Sequence, residues 1–314
     1  MSKINSPSRL VLILGLLIGI FAVSTAAIFI RLAQHQGTPS IVIAAARLTL
    51  SSLFLAPIAL IRHRSELRSL TRREIGLALL AGLFLALHFA TWIQSLEYTS
   101  VASSVVLVTT TPLWVSLLSA PLLGERIGRM TAFGLTLALS GGVIIGLSDA
   151  CYFEQGQLLC PSPQAFLARQ AFWGDFLALF GAWMAAGYLL AGRKLRSRLA
   201  LIPYVFLVYT AAAFLLVGFM IFEKNSLFGY SPIIYLWFIL LALIPQLLGH
   251  TLFNWALKYA PASFVSIVLL GEPVGSSVLA ILLFQEIPGA LKIGGAVVLL
   301  AGIWLASREG QMTN

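Results

Sequence analysis

The chain has 314 residues, of which 59% are hydrophobic and only 10% charged, whereas a soluble domain averages about 45–50% apolar and about 25% charged. That balance excludes a soluble globular protein and predicts an all-α membrane protein crossing the bilayer many times. The formal charge of +9 is no sign of nucleic-acid binding, because membrane proteins gather Lys and Arg on their cytoplasmic side.

Residues 1–9 form a short polar head carrying Lys3 and Arg9, and Leu10 to Ile30 is a first apolar span. Its basic start and the Ser24-Thr25-Ala26 run resemble a signal peptide, but the apolar run is long for that role. It also has a counterpart in the second half of the chain, so it is read as a helix. Further spans fall at about 40–61, 76–96, 101–122, 128–148, 172–192, 201–222, 234–257, 262–284 and 289–307. Each holds about 20 apolar residues, the length that crosses about 30 Å of hydrocarbon as helix.

Ten spans place both termini on one side. With the N-terminus inside, fifteen of the twenty Lys and Arg residues fall in cytoplasmic segments. Arg31, Arg169, Lys224 and Lys292 fall outside, and Arg47 lies within a span. The bias predicts cytoplasmic termini in the inner (plasma) membrane of a bacterial-type cell. The basic cluster from Arg62 to Arg73 then reads as a solvated loop beside anionic lipid. The longest loop, 149–171, lies outside and holds Cys151 and Cys160. Neither has the His or Cys neighbours of a metal motif. In an oxidising compartment they pair as a disulfide; otherwise they are two incidental thiols.

The two halves repeat. Shifted by 161 residues, Leu96, Tyr98, Pro112, Ser116, Glu125 and Gly128 meet Leu257, Tyr259, Pro273, Ser277, Glu286 and Gly289. Leu and Gly matches are cheap in this composition; Tyr, Pro and Glu matches in one register are not. The chain therefore divides into 10–148, a connecting loop 149–171, and 172–307, with five spans in each half. Because five is odd, the second half enters the membrane from the opposite side, giving the inverted repeat found in many secondary transporters.

The paired pattern Leu96-x-Tyr98…Pro112…Leu123-Gly124-Glu125 and Leu257-x-Tyr259…Glu272-Pro273-Val274…Glu286 resembles the EamA domain, present twice, of the drug/metabolite transporter superfamily. The likeness covers residues 10–307 and includes Pro39…Arg47-Leu48. It departs from the pattern at Gln285, where the family often has Gly, and in the long loop with its two cysteines. The resemblance implies export of a small metabolite or drug and says nothing of which one.

Several intramembrane polar residues are candidates for the site. Glu272 lies about ten residues into its span, near the bilayer midplane at about 1.5 Å rise per residue, where an ionisable group is by default a functional hypothesis. It either binds a cationic group, carries a proton, or is a neutral structural carboxyl. Pro273 removes a backbone donor and is expected to free a carbonyl near Leu269. The repeat partner of Glu272 is Thr111, so the halves match in shape and differ in charge. Gln246, His250 and Asn254, at i, i+4 and i+8 after Pro245, form a polar stripe that lines a cavity or bonds another helix. His88 and Trp92 share a face, as cavity wall or as packed pair. Trp183, Met184 and Tyr188 read as packing or interfacial residues. Arg47 snorkels outward, pairs with a carboxylate or meets an anionic solute. Glu125 and Glu286 precede helices whose dipoles they complement, or they gate.

There is no His-Glu-x-x-His, P-loop or Cys-x-x-Cys, and no cofactor is expected. The expectation is a secondary transporter working by alternating access, its partners a small-molecule solute and membrane lipid; it either couples to protons through Glu272 or a histidine or works as a facilitator without them. Rival readings are an intramembrane enzyme with Glu272 and His88 or His250 as acid and base, and a non-transporting scaffold or receptor; neither needs inverted halves, so the repeat argues against both.

Overall fold

The computed structural model describes residues 8–123, 129–148, 152–154, 157–159, 162, 167, 169–260 and 262–312. Its helices are α1 (Arg9–Ser24), α2 (Ala26–Gln34), α3 (Ser40–Arg62), α4 (Arg64–Arg68), α5 (Arg72–Tyr98), α6 (Val101–Val108), α7 (Thr111–Leu123) and α8 (Arg129–Ser148). After a short antiparallel hairpin, β1 (Tyr152–Glu154) and β2 (Gln157–Leu159), come α9 (Gln170–Arg196), α10 (Leu201–Phe222) and α11 (Pro232–Leu241). A π-helix (Ala242–His250) follows, then α12 (Thr251–Ala256), α13 (Ala262–Val268), α14 (Gly271–Phe284) and α15 (Ala290–Met312). The hairpin is an addition to the all-α expectation. Cys151, Cys160 and Glu125 lie outside the described residues.

Among the described residues, eight helical stretches are long and apolar enough to cross a membrane, and two shorter apolar ones, Ala132–Ile145 and Ala290–Leu305, lie within α8 and α15. Large apolar side chains such as Phe21, Phe54, Phe214 and Phe222 stay on the surface, an arrangement that suits hydrocarbon and not water. Local chemistry starts the helices. Thr71 opens α5 with a capping box: its hydroxyl accepts from Glu74 N at 3.3 Å, and Glu74 Oε2 accepts from Thr71 N at 2.9 Å. Ser100 caps α6 with its side chain alone, accepting from Ser103 N at 3.2 Å.

The bundle is stitched between its halves. α5 packs along α9, α3 along α10, and α8 along α15. The last pair approaches so closely that a Cβ at Gly141 would strike the backbone of Leu299, and one at Gly302 the backbone of Ala138. α6 and α7 meet α14 and α13 respectively, and α1 lies against the π-helix, α12 and α14.

Two helices are broken at matching places. α6 gives way to α7 at Thr109–Thr110, and α13 to α14 at Leu269–Leu270. Pro112 is the second residue of α7 and Pro273 the third of α14; a proline has no N–H for the preceding turn. The sequence predicts a free carbonyl at Leu269, but Leu269 O accepts from Glu272 N at 2.9 Å. At the other break Val108 O accepts from Thr111 Oγ1 at 3.0 Å. The breaks bend the chain while leaving those carbonyls satisfied.

Candidate functional site

At the level of both breaks lies a cavity of about 50 Å³, room for a few waters. From the first half it is lined by His88 and Trp92 of α5, by Val108 and Thr109, and by Thr111 of α7. From the second half come Tyr188 of α9, His250, Phe253, Asn254, Leu269 and Glu272. Thr111 and Glu272, equivalent by the repeat, thus face one space. Glu272 sits in the first turn of α14, where a carboxylate complements the helix dipole.

The π-helix carries Gln246 and His250 of the polar stripe, and α12 carries Asn254. Pro245 within it cannot donate to the ladder, and the widened i→i+5 turn accommodates the gap. Two carbonyls of this stretch accept from hydroxyls: Ser51 Oγ donates to Ala242 O and Thr251 Oγ1 to Gln246 O, each at 3.3 Å. The three stripe residues then take separate partners. Gln246 Oε1 accepts from Arg47 Nε at 2.8 Å. His250 sets its ring edge against Phe89, centroids 5.4 Å apart. Asn254 Oδ1 accepts from Tyr188 OH at 2.8 Å.

Arg47 is fully buried, so it does not snorkel. Its guanidinium carbon lies 4.1 Å from the centroid of Phe89, a cation–π contact. Glu272 is within Coulombic reach of that cation, as are His88 and His250. No ion pair closes between Arg47 and Glu272 among the described residues. His88 stacks on Trp92 at 5.9 Å and 13°. Its Nδ1 lies 2.9 Å from Gly181 O; a carbonyl only accepts, so Nδ1 carries a proton.

The structure therefore brings Glu272, His250, Asn254, His88 and Trp92 to the cavity wall, and holds Gln246 and Arg47 together just behind Phe89. Sequence reasoning assigned Tyr188 to packing, and here it lines the cavity; it had no signal for Phe89 or Phe253. Trp183 stays outside, edge-on to Trp114 at 5.1 Å. Among the described residues no three His, Cys, Asp or Glu side chains are grouped to hold a metal ion.

One end of the bundle is tied shut across the halves. Arg31 pairs with Glu286 at 3.1 Å and donates to Thr99 O at 2.9 Å. Glu286 Oε2 accepts from Val101 N at 3.0 Å, and Lys292 Nζ donates to Ser100 Oγ at 2.9 Å. Glu286 thus complements a helix start, but that of α6 in the other half and not the helix that follows it. At the opposite end Glu66 Oε1 accepts from Ala200 N at 2.6 Å, and Arg198 pairs with Glu74 at 2.7 Å.

Comparison with known proteins places this geometry. Residues 10–147 and 172–308 each match the model of the EamA-like transporter family. The Pseudopaline exporter CntI of Pseudomonas aeruginosa (strain UCBPP-PA14) is 24% identical over 241 residues, spanning 76% of this chain and 78% of that protein. An uncharacterized transporter of Archaeoglobus fulgidus is 26% identical over 255 residues, spanning 76% and 77%. One crystal structure, 19% identical, superposes with a TM-score of 0.65 over 98% of this chain and 100% of the other, a likeness of fold.

Proposed function

The chain belongs to the EamA-like transporter family, and from that premise we propose that it exports a small organic solute by alternating access through the cavity between its halves. The observation that carries this reading is that Thr111 and Glu272, at matching helix breaks in the two halves, line one cavity. Discontinuous helices meeting at a site between inverted halves are how many secondary transporters hold solute near the midplane. The pairing of helices across the halves supports ten spans, with the termini cytoplasmic as the Lys and Arg distribution predicts. The protein then resides in the inner membrane, and the Arg31–Glu286 end faces outward.

On this reading the conformation described is closed to the outside by the Arg31, Thr99, Glu286 and Val101 cluster. Its cavity, at about 50 Å³, is too small for a metabolite until one end parts. His88, Trp92, His250, Asn254 and Glu272 contact the solute, with Arg47 and Gln246 behind them. Glu272, the one carboxylate lining the cavity among the described residues, exchanges the coupling proton. Export follows the family and the relative named an exporter.

Purified protein in liposomes tests the reading. Solutes from a cell extract should cross the bilayer chemically unchanged, with proton counterflow. Chemical conversion of a solute, or no movement of any, would overturn it. Growth of cells overproducing the protein against a panel of toxic metabolite analogues would then narrow the substrate.

A further inference from the structure

Arg196 falls in a cytoplasmic segment by sequence, yet only 2% of it is exposed. It is the last residue of α9, and its guanidinium is engaged by two carbonyls of its own half. Nε donates to Asn254 O at 3.1 Å, and Nη1 donates to Leu199 O. The first bond has a local cause. Asn254 lies in the last turn of α12, where carbonyls lack partners within the helix. Lys258 N turns to Trp255 O at 3.2 Å. Asn254 O is left to a cation, the charge that a helix C-terminus favours.

Each bond reaches further. The side chain of the same Asn254 accepts from Tyr188 OH at 2.8 Å, and both residues line the cavity. Tyr188 stands on the same face of α9 as Arg196, about 12 Å away by helical rise. Between them Gly192 leaves room for the Tyr204 hydroxyl, which a Cβ there would strike. α9 therefore grips Asn254 twice, by its backbone and by its side chain. In the other direction, Leu199 O and Ala200 N belong to one peptide unit, which is planar and rigid. Its oxygen accepts from Arg196, and its N–H donates to Glu66 Oε1 of the first half at 2.6 Å. A cation on the oxygen and a carboxylate on the N–H polarise that peptide in the same sense, so each bond strengthens the other.

We propose that Arg196 is a positioning residue that couples the Glu66–Ala200 tie to the cavity wall. While the tie is closed, the Leu199–Ala200 peptide orients the guanidinium, and the guanidinium holds Asn254 where its side chain meets Tyr188. When the tie parts, the peptide turns, Asn254 is released, and the wall loosens toward that end. The inference rests on the transport reading above and adds how its inner end and its site move as one.

A cysteine at Val108, which lines the cavity, tests this in the full chain with Cys151 and Cys160 replaced by Ser. An impermeant maleimide is added to inside-out and, separately, to right-side-out membrane vesicles. Glu66→Ala, which leaves Ala200 N unpaired, should raise labelling from the inner face several-fold. Arg196→Met, which keeps the stem and removes the donors, should raise it by a similar factor, with labelling from the outer face unchanged. The double variant should label no faster than the faster single one, because both cut one path; independent effects would multiply. Arg196→Lys, which can hold one carbonyl but not both, should fall between wild type and Arg196→Met, and it carries the test where Arg196→Met does not fold. Wild-type labelling in either single variant, a rise from both faces, or a multiplied effect in the double variant overturns the proposal. Flux in liposomes keeps the two readings apart. The expected labelling pattern with no solute moved keeps the coupling and sinks transport; solute movement with labelling unchanged does the reverse.

Discussion

Thr111 and Glu272 occupy the same position in two broken helices, 161 residues apart, and their side chains face one cavity. Duplication accounts for the break, since Pro112 and Pro273 follow each; it does not account for the charge. Replacing Glu272 by Gln keeps the shape and removes the ionisable group. Initial flux in liposomes should fall at least tenfold and lose its proton coupling, while the thermal midpoint in detergent stays within a few degrees. Thr111→Val removes only a hydroxyl that donates to Val108 O, and should reduce flux less. Flux and coupling that survive Glu272→Gln would make the carboxyl structural.

The tie between Arg31 and Glu286 predicts a graded response. The pair is partly exposed, at 16% and 28%, and such ion pairs contribute about 0–1 kcal/mol. Glu286→Gln should therefore shift the closure equilibrium slightly, because the amide oxygen still accepts from Val101 N. Glu286→Ala leaves that N–H unpaired and should open this end more. A cysteine at Val108, with Cys151 and Cys160 replaced by Ser, reports the change through labelling by an impermeant maleimide added outside. Labelling should rise in the order wild type, Glu286→Gln, Glu286→Ala; equal labelling in all three would show that the cluster does not gate.

What the sequence made legible followed from local chemistry. The two prolines in one register mark both helix breaks, since a missing N–H is a property of the residue itself. The spacing of Gln246, His250 and Asn254 marks a polar stripe on any helix of roughly one turn per four residues. Partners across the bundle were not legible. Nothing in the order of residues says that Gln246 clamps Arg47, 199 positions earlier, or that Glu286 caps α6 in the other half. Pro245 signals an interruption, yet nothing beside it in the sequence says that Ser51, from α3, donates to Ala242 O of the π-helix. Phe89 carries no polar atom and so gave no sign of its place between Arg47 and His250.

Asn254 separates lining from scaffolding. Its Oδ1 accepts from Tyr188 OH at 2.8 Å, and Nδ2 lies 3.4 Å from Tyr209 OH. Asn254→Leu would strand a buried hydroxyl on Tyr188, a loss of about 1–3 kcal/mol. The thermal midpoint should drop by several degrees together with flux. Tyr188→Phe leaves Asn254 Oδ1 without its donor but keeps Nδ2 near Tyr209 OH, so it should cost less than Asn254→Leu while solute affinity alters. If Tyr188→Phe destabilises as much as Asn254→Leu, the pair is scaffold and not wall.

Gly275 sets how closely α14 approaches α1. A Cβ built there would collide with the side chain of Ser24, whose carbonyl accepts from Ser276 Oγ at 3.0 Å. Ser24 is also the last residue before the α1–α2 junction at Thr25, so one small contact joins two bent helices beside Glu272. Gly275→Ala should cost about 1–3 kcal/mol by overpacking, read as a lower thermal midpoint in detergent. Ser24→Gly removes the atoms that the methyl meets, and the double variant Ser24→Gly/Gly275→Ala should recover most of the loss. A double variant no more stable than Gly275→Ala alone would show that the strain lies elsewhere. Recovered stability without recovered flux would mark this contact as one that must slide when the cavity opens.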